Sequence, residues 1–317
     1  MAELGCFLSC EEHGPRSLVD SARAAEQAGF TSVLISDHYH PWIDAQGQSP
    51  FLWSVIGGIA ATTSLRVTTG VTCPTIRIHP AVLAQAAATA QLMLEGRFAF
   101  GVGSGENLNE HILGDRWPST DVRLEMLEEA IEVLRGLWRG GSYNHHGSHY
   151  TVENARIYSL PHEPPPILVS GFGGKSVELA ARVGDGFVTV APDPDAVVRY
   201  REQGGGGPAV AAVKVCWAED EDSARKLAHD RWPTSCVPGE LNQELPAPAH
   251  FEQASQHVTE DMVAEQIPCG PDPERHAAMI RRYLDSGFDQ VFISQVGDEQ
   301  RGFFDFFVKE LRPRLGA

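Results

Sequence analysis

The densest chemistry in the chain sits in seven consecutive residues, Ser36-Asp37-His38-Tyr39-His40-Pro41-Trp42. An imidazole beside a carboxylate can move a proton near neutral pH, and a nearby indole offers a flat apolar face. The stretch directly follows Val33-Leu34-Ile35, which reads as a buried strand cut short by polar residues and closed by a proline. A change from hydrocarbon to imidazole and carboxylate within two residues is what the C-terminal end of a parallel strand looks like where it opens into a pocket. These residues are therefore expected at the rim of an active site.

Two glycine-rich strand ends accompany them. In Gly101-Val102-Gly103-Ser104-Gly105-Glu106-Asn107 a dinucleotide fingerprint would need glycine where Glu106 stands, and no helix is expected to open there. The glycines leave a strand end bare enough for a flat ligand to lie against backbone, with Glu106 at its edge; a tight turn with a solvated Glu106 is the plainer reading. Gly171-Phe172-Gly173-Gly174-Lys175-Ser176 lacks the glycine that a Walker A motif needs at Val169. Exposed amides at a helix start beside a lysine still suit one phosphate, although a glycine-rich turn with a surface lysine has the same sequence. His38 and His40 could be metal ligands of a barrel hydrolase, but strands ending in Ser170-Gly171, Ala191-Pro192 and Gln295-Val296 offer no further histidine. A barrel that binds a ligand without turning it over is the third functional class consistent with these residues.

The elements that must position these groups alternate along the chain. Strand patterns at 4–9, 32–37, 65–73, 97–105, 166–171, 185–191, 210–218 and 290–296 are separated by helical stripes such as Leu124, Leu127, Ile131, Leu134 and Trp138. Three helix-to-strand joints share one plan, a glycine, a buried Phe and a β-branched strand: Gly29-Phe30, Gly184 to Phe187 and Gly287-Phe288. Eight such αβ units favour closure into a (β/α)8 TIM barrel, an α/β fold occupying 1–317 as one domain. Residues 142–160 read as an inserted hairpin or loop, and 233–262 as an insertion able to lid the barrel mouth.

Composition narrows the partners. A net charge of −17 in 317 residues disfavours nucleic acid and anionic membrane, leaving a small-molecule substrate. No run approaches the roughly 20 apolar residues of a membrane span. The six cysteines form no C-x-x-C pair and are too sparse for a disulfide framework, which fits reduced thiols in a cytoplasm.

Taken in order, Ser36-Asp37-His38 with Pro41-Trp42, Thr72-Cys73-Pro74-Thr75, and Gly103-Ser104-Gly105-Glu106 with Asn109-Glu110 resemble the luciferase-like barrel oxidoreductases. The resemblance is strongest to the branch that contains deazaflavin (coenzyme F420)-dependent glucose-6-phosphate dehydrogenase, and it runs nearly end to end. It implies F420 as cofactor, with FMN as the alternative, and a homodimer. Asp37, Gly70, Val71, Cys73, Glu106, Asn109, Ser170 and Gly171 would contact the cofactor, and Gly173, Gly174 and Lys175 would cradle its phosphate. A cis peptide is implied at Gly70-Val71. His38 would take the proton of a substrate hydroxyl and Glu106 would exchange a proton with the reduced ring. Trp42, His40 and Glu11 would face the substrate, and Asp37 would touch the cofactor or fix the His38 tautomer.

One departure bears on the substrate. The sugar-phosphate dehydrogenases of that branch grip their phosphate with three cations, and the corresponding stretches here carry Asp193, the segment Glu240 to Leu245, and Glu265. Carboxylates facing a phosphate dianion would remove most of its binding energy. The expected substrate is unphosphorylated: an alcohol, a sugar-like compound or another small organic molecule.

Overall fold

The computed structural model describes residues 2–316. Eight parallel strands close into a barrel in the order β1-β10-β9-β8-β7-β4-β3-β2, as the alternating pattern predicts. They are β1 (Glu3–Leu8), β2 (Ser32–Ile35), β3 (Arg66–Thr69), β4 (Phe98–Val102), β7 (Ile167–Ser170), β8 (Gly186–Thr189), β9 (Ala209–Val215) and β10 (Gln290–Gln295). The remaining two, β5 (Tyr143–His146) and β6 (Thr151–Ala155), form the inserted antiparallel hairpin.

Helices α1 (Pro15–Gln27), α2 (Leu52–Thr62) and α3 (Pro80–Met93) cover the first strands. A short α4 (Asn107–Glu110) then leads to the long α5 (Thr120–Trp138). The outer ring continues with α6 (Gly174–Val183), α7 (Pro194–Glu202) and α8 (Glu221–Arg231). Three short helices follow, α9 (Leu241–Glu244), α10 (Pro248–Ala254) and α11 (Glu260–Gln266), before α12 (Pro273–Asp285), α13 (Gln300–Phe306) and α14 (Arg312–Leu315). The structure builds the 233–262 insertion from short helices that the sequence did not mark. Its helices are only one to two turns long, too short to show a 3.6-residue period.

The barrel interior is packed at its lower end by Leu34, Leu168, Val188, Val210, Ala212 and Phe292, with Phe7 and Ala99 against them. Gly5 makes this possible, since a Cβ there would lie 2.3 Å from the Phe292 ring. The second apolar layer lies between strands and helices, where the joint residues Phe30, Phe187 and Phe288 are all buried. Gly29 and Gly287 close their helices at φ +90° and +88°. Gly184 serves differently: its φ is −86°, and a Cβ would sit 2.7 Å from the Ala180 carbonyl. Close approach, rather than a left-handed turn, demands glycine there.

With its lower half filled by hydrocarbon, the barrel can hold polar groups only at the C-terminal mouth. The inserted helices lie over that mouth. Phe251 of α10 meets Trp42 edge-on at 5.1 Å, and α11 packs with α8 around Ala224, Ala228 and Val263.

Candidate active site

β2 ends where hydrogen bonds take over from packing. Ser36 Oγ donates to Glu11 Oε2 at 2.6 Å and accepts from the Cys10 amide at 2.9 Å, tying the β1 and β2 ends together. Ser9 Oγ donates to the same Glu11 oxygen at 2.8 Å. The other oxygen, Oε1, stands 3.4 Å from His38 Nε2. Burial pushes the Glu11 carboxyl up, but His38 and the two hydroxyl donors outweigh it and hold the group below its usual value. Glu11, expected from the resemblance to face the substrate, is buried and set against His38.

The other imidazole nitrogen is equally fixed. His38 Nδ1 lies 3.1 Å from the His40 carbonyl and 3.2 Å from Asn109 Nδ2. The orientation of the Asn109 amide is set by its oxygen, which accepts from the Tyr39 and His40 amides at 2.9 and 3.2 Å. Nδ2 also reaches Glu106 Oε2 at 3.5 Å. One side chain therefore spans His38 and Glu106. The absence of a helix after Gly105, expected from the sequence, is corrected here: α4 opens at Asn107 and delivers Asn109 to both partners.

Asp37 points away from His38. Its carboxylate accepts from Thr72 Oγ1 at 2.7 Å and from Arg77 Nη2 at 2.9 Å. Arg77 was not singled out in the sequence, yet its guanidinium is nearly buried and joins Asp37 to Glu110, with Nε 3.6 Å from Glu110 Oε1. Burial would lower the Arg77 pKa, but Asp37 and Glu110 raise it above its ordinary value. Glu110 accepts from the Ile76 and Arg77 amides, and burial still lifts it to about 7. Of the two roles considered for Asp37, fixing the His38 tautomer therefore falls to Glu11 and Asn109.

The floor beside Glu106 is made of small residues. The Gly70-Val71 peptide is cis. A Cβ on Gly103 would stand 2.8 Å from Val71 Cγ2, 3.7 Å from Ser170 Cβ and 3.8 Å from Cys73 Sγ, so these four residues meet at one place. A Cβ on Gly101 would stand 1.8 Å from the Thr69 carbonyl. Cys73 is buried, and burial together with Glu106 and Glu110 keeps its thiol well above the usual value, so it acts as packing rather than as a nucleophile.

At the glycine turn before α6, Ser176 Oγ accepts from the Phe172 and Gly173 amides at 3.1 and 3.2 Å. Lys175 is exposed and reaches Asp121 Oδ1 at 2.6 Å. Arg199 comes close as well, because a Cβ on Gly174 would lie 2.6 Å from its Nη1. The Phe172 and Gly173 amides, expected to be exposed, are thus taken up by Ser176, and Arg199 arrives at the turn from a different helix.

Trp42 and His38 form a tilted pair at 5.0 Å. His40 turns instead to the Leu108 carbonyl, 2.9 Å from Nδ1, and stacks on His111 at 6.0 Å. Across the mouth, Lys214 on β9 lies 4.1 Å from the Trp232 ring, whose Nε1 donates to Glu12 Oε2 at 2.8 Å. Burial lifts the Glu12 carboxyl to about 7. Neither Lys214 nor Glu12 was legible, because each depends on partners far away in sequence. Among the described residues no three His, Cys, Asp or Glu side chains gather as metal ligands, so the hydrolase alternative has no ligand set.

The closed parallel barrel, with an imidazole and a carboxyl group at its mouth, places the chain among the α/β barrel enzymes. The chain belongs to the luciferase-like monooxygenase family, whose model matches residues 2–290, and is an oxidoreductase. An F420-dependent glucose-6-phosphate dehydrogenase of Microbacterium testaceum (strain StLB037) is 32% identical, over 98% of this chain and 96% of its own. Its counterpart from Nocardia farcinica (strain IFM 10152) is 33% identical over 99% and 98%. The solved structure of an F420-dependent secondary alcohol dehydrogenase, in complex with an F420-acetone adduct, superposes with a TM-score of 0.91 at 28% identity, covering 99% of both chains.

Proposed function

We propose that this chain is an F420-dependent oxidoreductase that interconverts a small unphosphorylated alcohol and its carbonyl compound. The carrying observation is the placement of His38 and Glu106 on either side of Asn109, beside the floor of Val71 and Gly103. Gly103 keeps that floor flat, since a Cβ there would press on Val71 at 2.8 Å, and Gly101 lets the neighbouring strand approach, since a Cβ there would meet the Thr69 carbonyl at 1.8 Å. When bound, F420 supplies the hydride acceptor or donor.

The remaining chemistry belongs to the protein. Oxidising an alcohol requires removal of its O–H proton, and His38, whose Nε2 faces Glu11, takes it. The ionised Glu11 stabilises the imidazolium so formed, while the His40 carbonyl and Asn109 keep the ring from turning. Glu106 exchanges a proton at Oε2, the atom that Asn109 orients. Trp42, backed by Phe251, keeps water from the hydroxyl side. Lys175 and Arg199, at the glycine turn, would hold the cofactor phosphate.

The substrate class rests on the residues at the three stretches named above. Asp193 caps α7, Glu244 is bound to Arg123, and Glu265 lines an outer groove, so none supplies a cation for a phosphate. The likeness to a secondary alcohol dehydrogenase supports a small alcohol in its stead. The test is to add secondary alcohols and glucose 6-phosphate separately to the protein with F420 and follow loss of F420 absorbance. Turnover with an alcohol, reduced roughly 10²–10⁴-fold in His38→Ala, supports the reading; turnover with glucose 6-phosphate alone overturns the substrate class.

A further inference from the structure

Cys216 directly follows β9, and Cys269 lies between α11 and α12. The two face each other across an isolated parallel bridge. It is held by the Cys216 amide donating to the Pro268 carbonyl and the Gly270 amide donating to the Cys216 carbonyl, both at 2.9 Å. Residues opposed in this way have Cα atoms about 4.8 Å apart, inside the roughly 4.4–6.8 Å window of a disulfide. The Cys216 thiol donates to the Ala224 carbonyl and the Cys269 thiol to the Ile267 carbonyl, both at 3.2 Å, which fixes the direction of each side chain.

From this geometry we infer that Cys216 and Cys269 form a reversible disulfide under peroxide, closing a covalent ring around residues 217–268. Ordinary packing does not need two buried cysteines opposed across one bridge, since buried cysteine otherwise behaves as a small hydrophobe. The two thiols differ in surroundings. Arg275 Nη1 donates to the Cys269 carbonyl at 3.1 Å, and Arg225 and Arg275 help to hold the Cys269 thiol below the usual value, whereas burial helps to push Cys216 up. A cation beside Cys269 makes it the attacking sulfur and Cys216 the resolving one. A groove of about 760 Å³, lined by Arg225, Asp261, Pro268 and Arg275, borders the segment that carries the buried Cys269.

The steps balance. The Cys269 thiolate attacks hydrogen peroxide: an S–O bond forms, the O–O bond breaks, and the hydroxide released takes the thiol proton as water. The Cys216 sulfur then attacks the sulfenic sulfur, the S–S bond forms, the S–O bond breaks, and a second water leaves with the Cys216 proton. The ring so closed contains Trp232, which holds Glu12 and Lys214, and Phe251, which backs Trp42. Oxidation would staple the lid over the mouth.

The test treats the full chain with stoichiometric hydrogen peroxide, alkylates the remaining thiols, and maps peptides by mass spectrometry without reductant. The expected result is one Cys216–Cys269 cross-linked peptide, two hydrogens lighter than the reduced pair and reversed by dithiothreitol. The midpoint of thermal unfolding should rise by several degrees in the oxidised wild type, because the ring restricts the unfolded chain. Cys216→Ser and Cys269→Ser should each abolish the cross-link. Modification of the more exposed Cys236 with the pair left reduced would overturn the inference. So would over-oxidation of Cys269 with no cross-link to Cys216.

Discussion

Asn109 Nδ2 lies 3.2 Å from His38 Nδ1, and the same amide oxygen receives the two backbone N–H groups that follow His38. The loop that presents the imidazole is therefore hung from one side chain. Asn109→Ala leaves the Tyr39 and His40 amides without acceptors and the His38 ring free to turn. Turnover should fall by roughly 10–100-fold, since small misplacements of a reacting group cost that much. F420 affinity should stay within a few-fold, as steady-state rates and a binding titration on the same variant will decide.

The glycine floor gives a prediction on binding alone. Gly103→Ala places a carbon 2.8 Å from a Val71 methyl, which can move aside at the expense of the ring bed. F420 affinity should drop at least about tenfold, equivalent to about 1.4 kcal/mol, with folding retained. Gly101→Ala meets the Thr69 backbone at 1.8 Å and should fail to give soluble folded protein.

These two glycines show what a single sequence conveys and what it withholds. The glycine run and the apolar strand before His38 announced a site because both break the local pattern of a buried strand. Arg77, Glu12 and Lys214 break no local pattern. Their roles come from Asp37, Trp232 and the barrel wall, which only closure brings near. The strands and outer helices were legible from their periods, whereas α4 and α9 to α11 are too short to show one. Glu11 was placed by resemblance, but its function as the partner of His38 needed the Ser9 and Ser36 hydroxyls to become visible.

Glu110 makes stability depend on pH with a definite sign. Its folded pKa is about 7, above the 4.5 of the unfolded chain. Between these values the folded protein keeps a proton that the unfolded chain releases, so stability falls as pH rises, by on the order of 3 kcal/mol, and levels off above the folded value. Glu12, also raised to about 7, adds in the same direction. Glu11 acts only below this window, because its folded pKa is lowered. Urea denaturation at pH 5 and pH 8 should show a smaller loss, or a larger gain, toward pH 8 in Glu110→Gln than in the wild type, with His13 and His276, whose folded pKa values are lowered by burial, acting in the opposite direction in both.

Phe251 is fully buried against Trp42 and ties α10 to the site. Phe251→Ala should cost about 3–5 kcal/mol of stability. In the folded fraction it should raise KM for the alcohol more than it lowers kcat, because Trp42 loses its backing while His38 and Glu106 keep theirs. Equal loss of kcat would place Phe251 closer to the chemistry than the packing indicates.

The central claim is that a deazaflavin ring rests on Val71 and Gly103 between His38 and Glu106, and titration of the apo-protein with F420 and with FMN, followed by fluorescence, tests it most directly. F420 should bind with a Kd below about 100 μM, or about −5.5 kcal/mol, more tightly than FMN, and binding should be lost in Gly103→Val. Binding of neither cofactor, or F420 binding that is unchanged by Gly103→Val, would contradict the account.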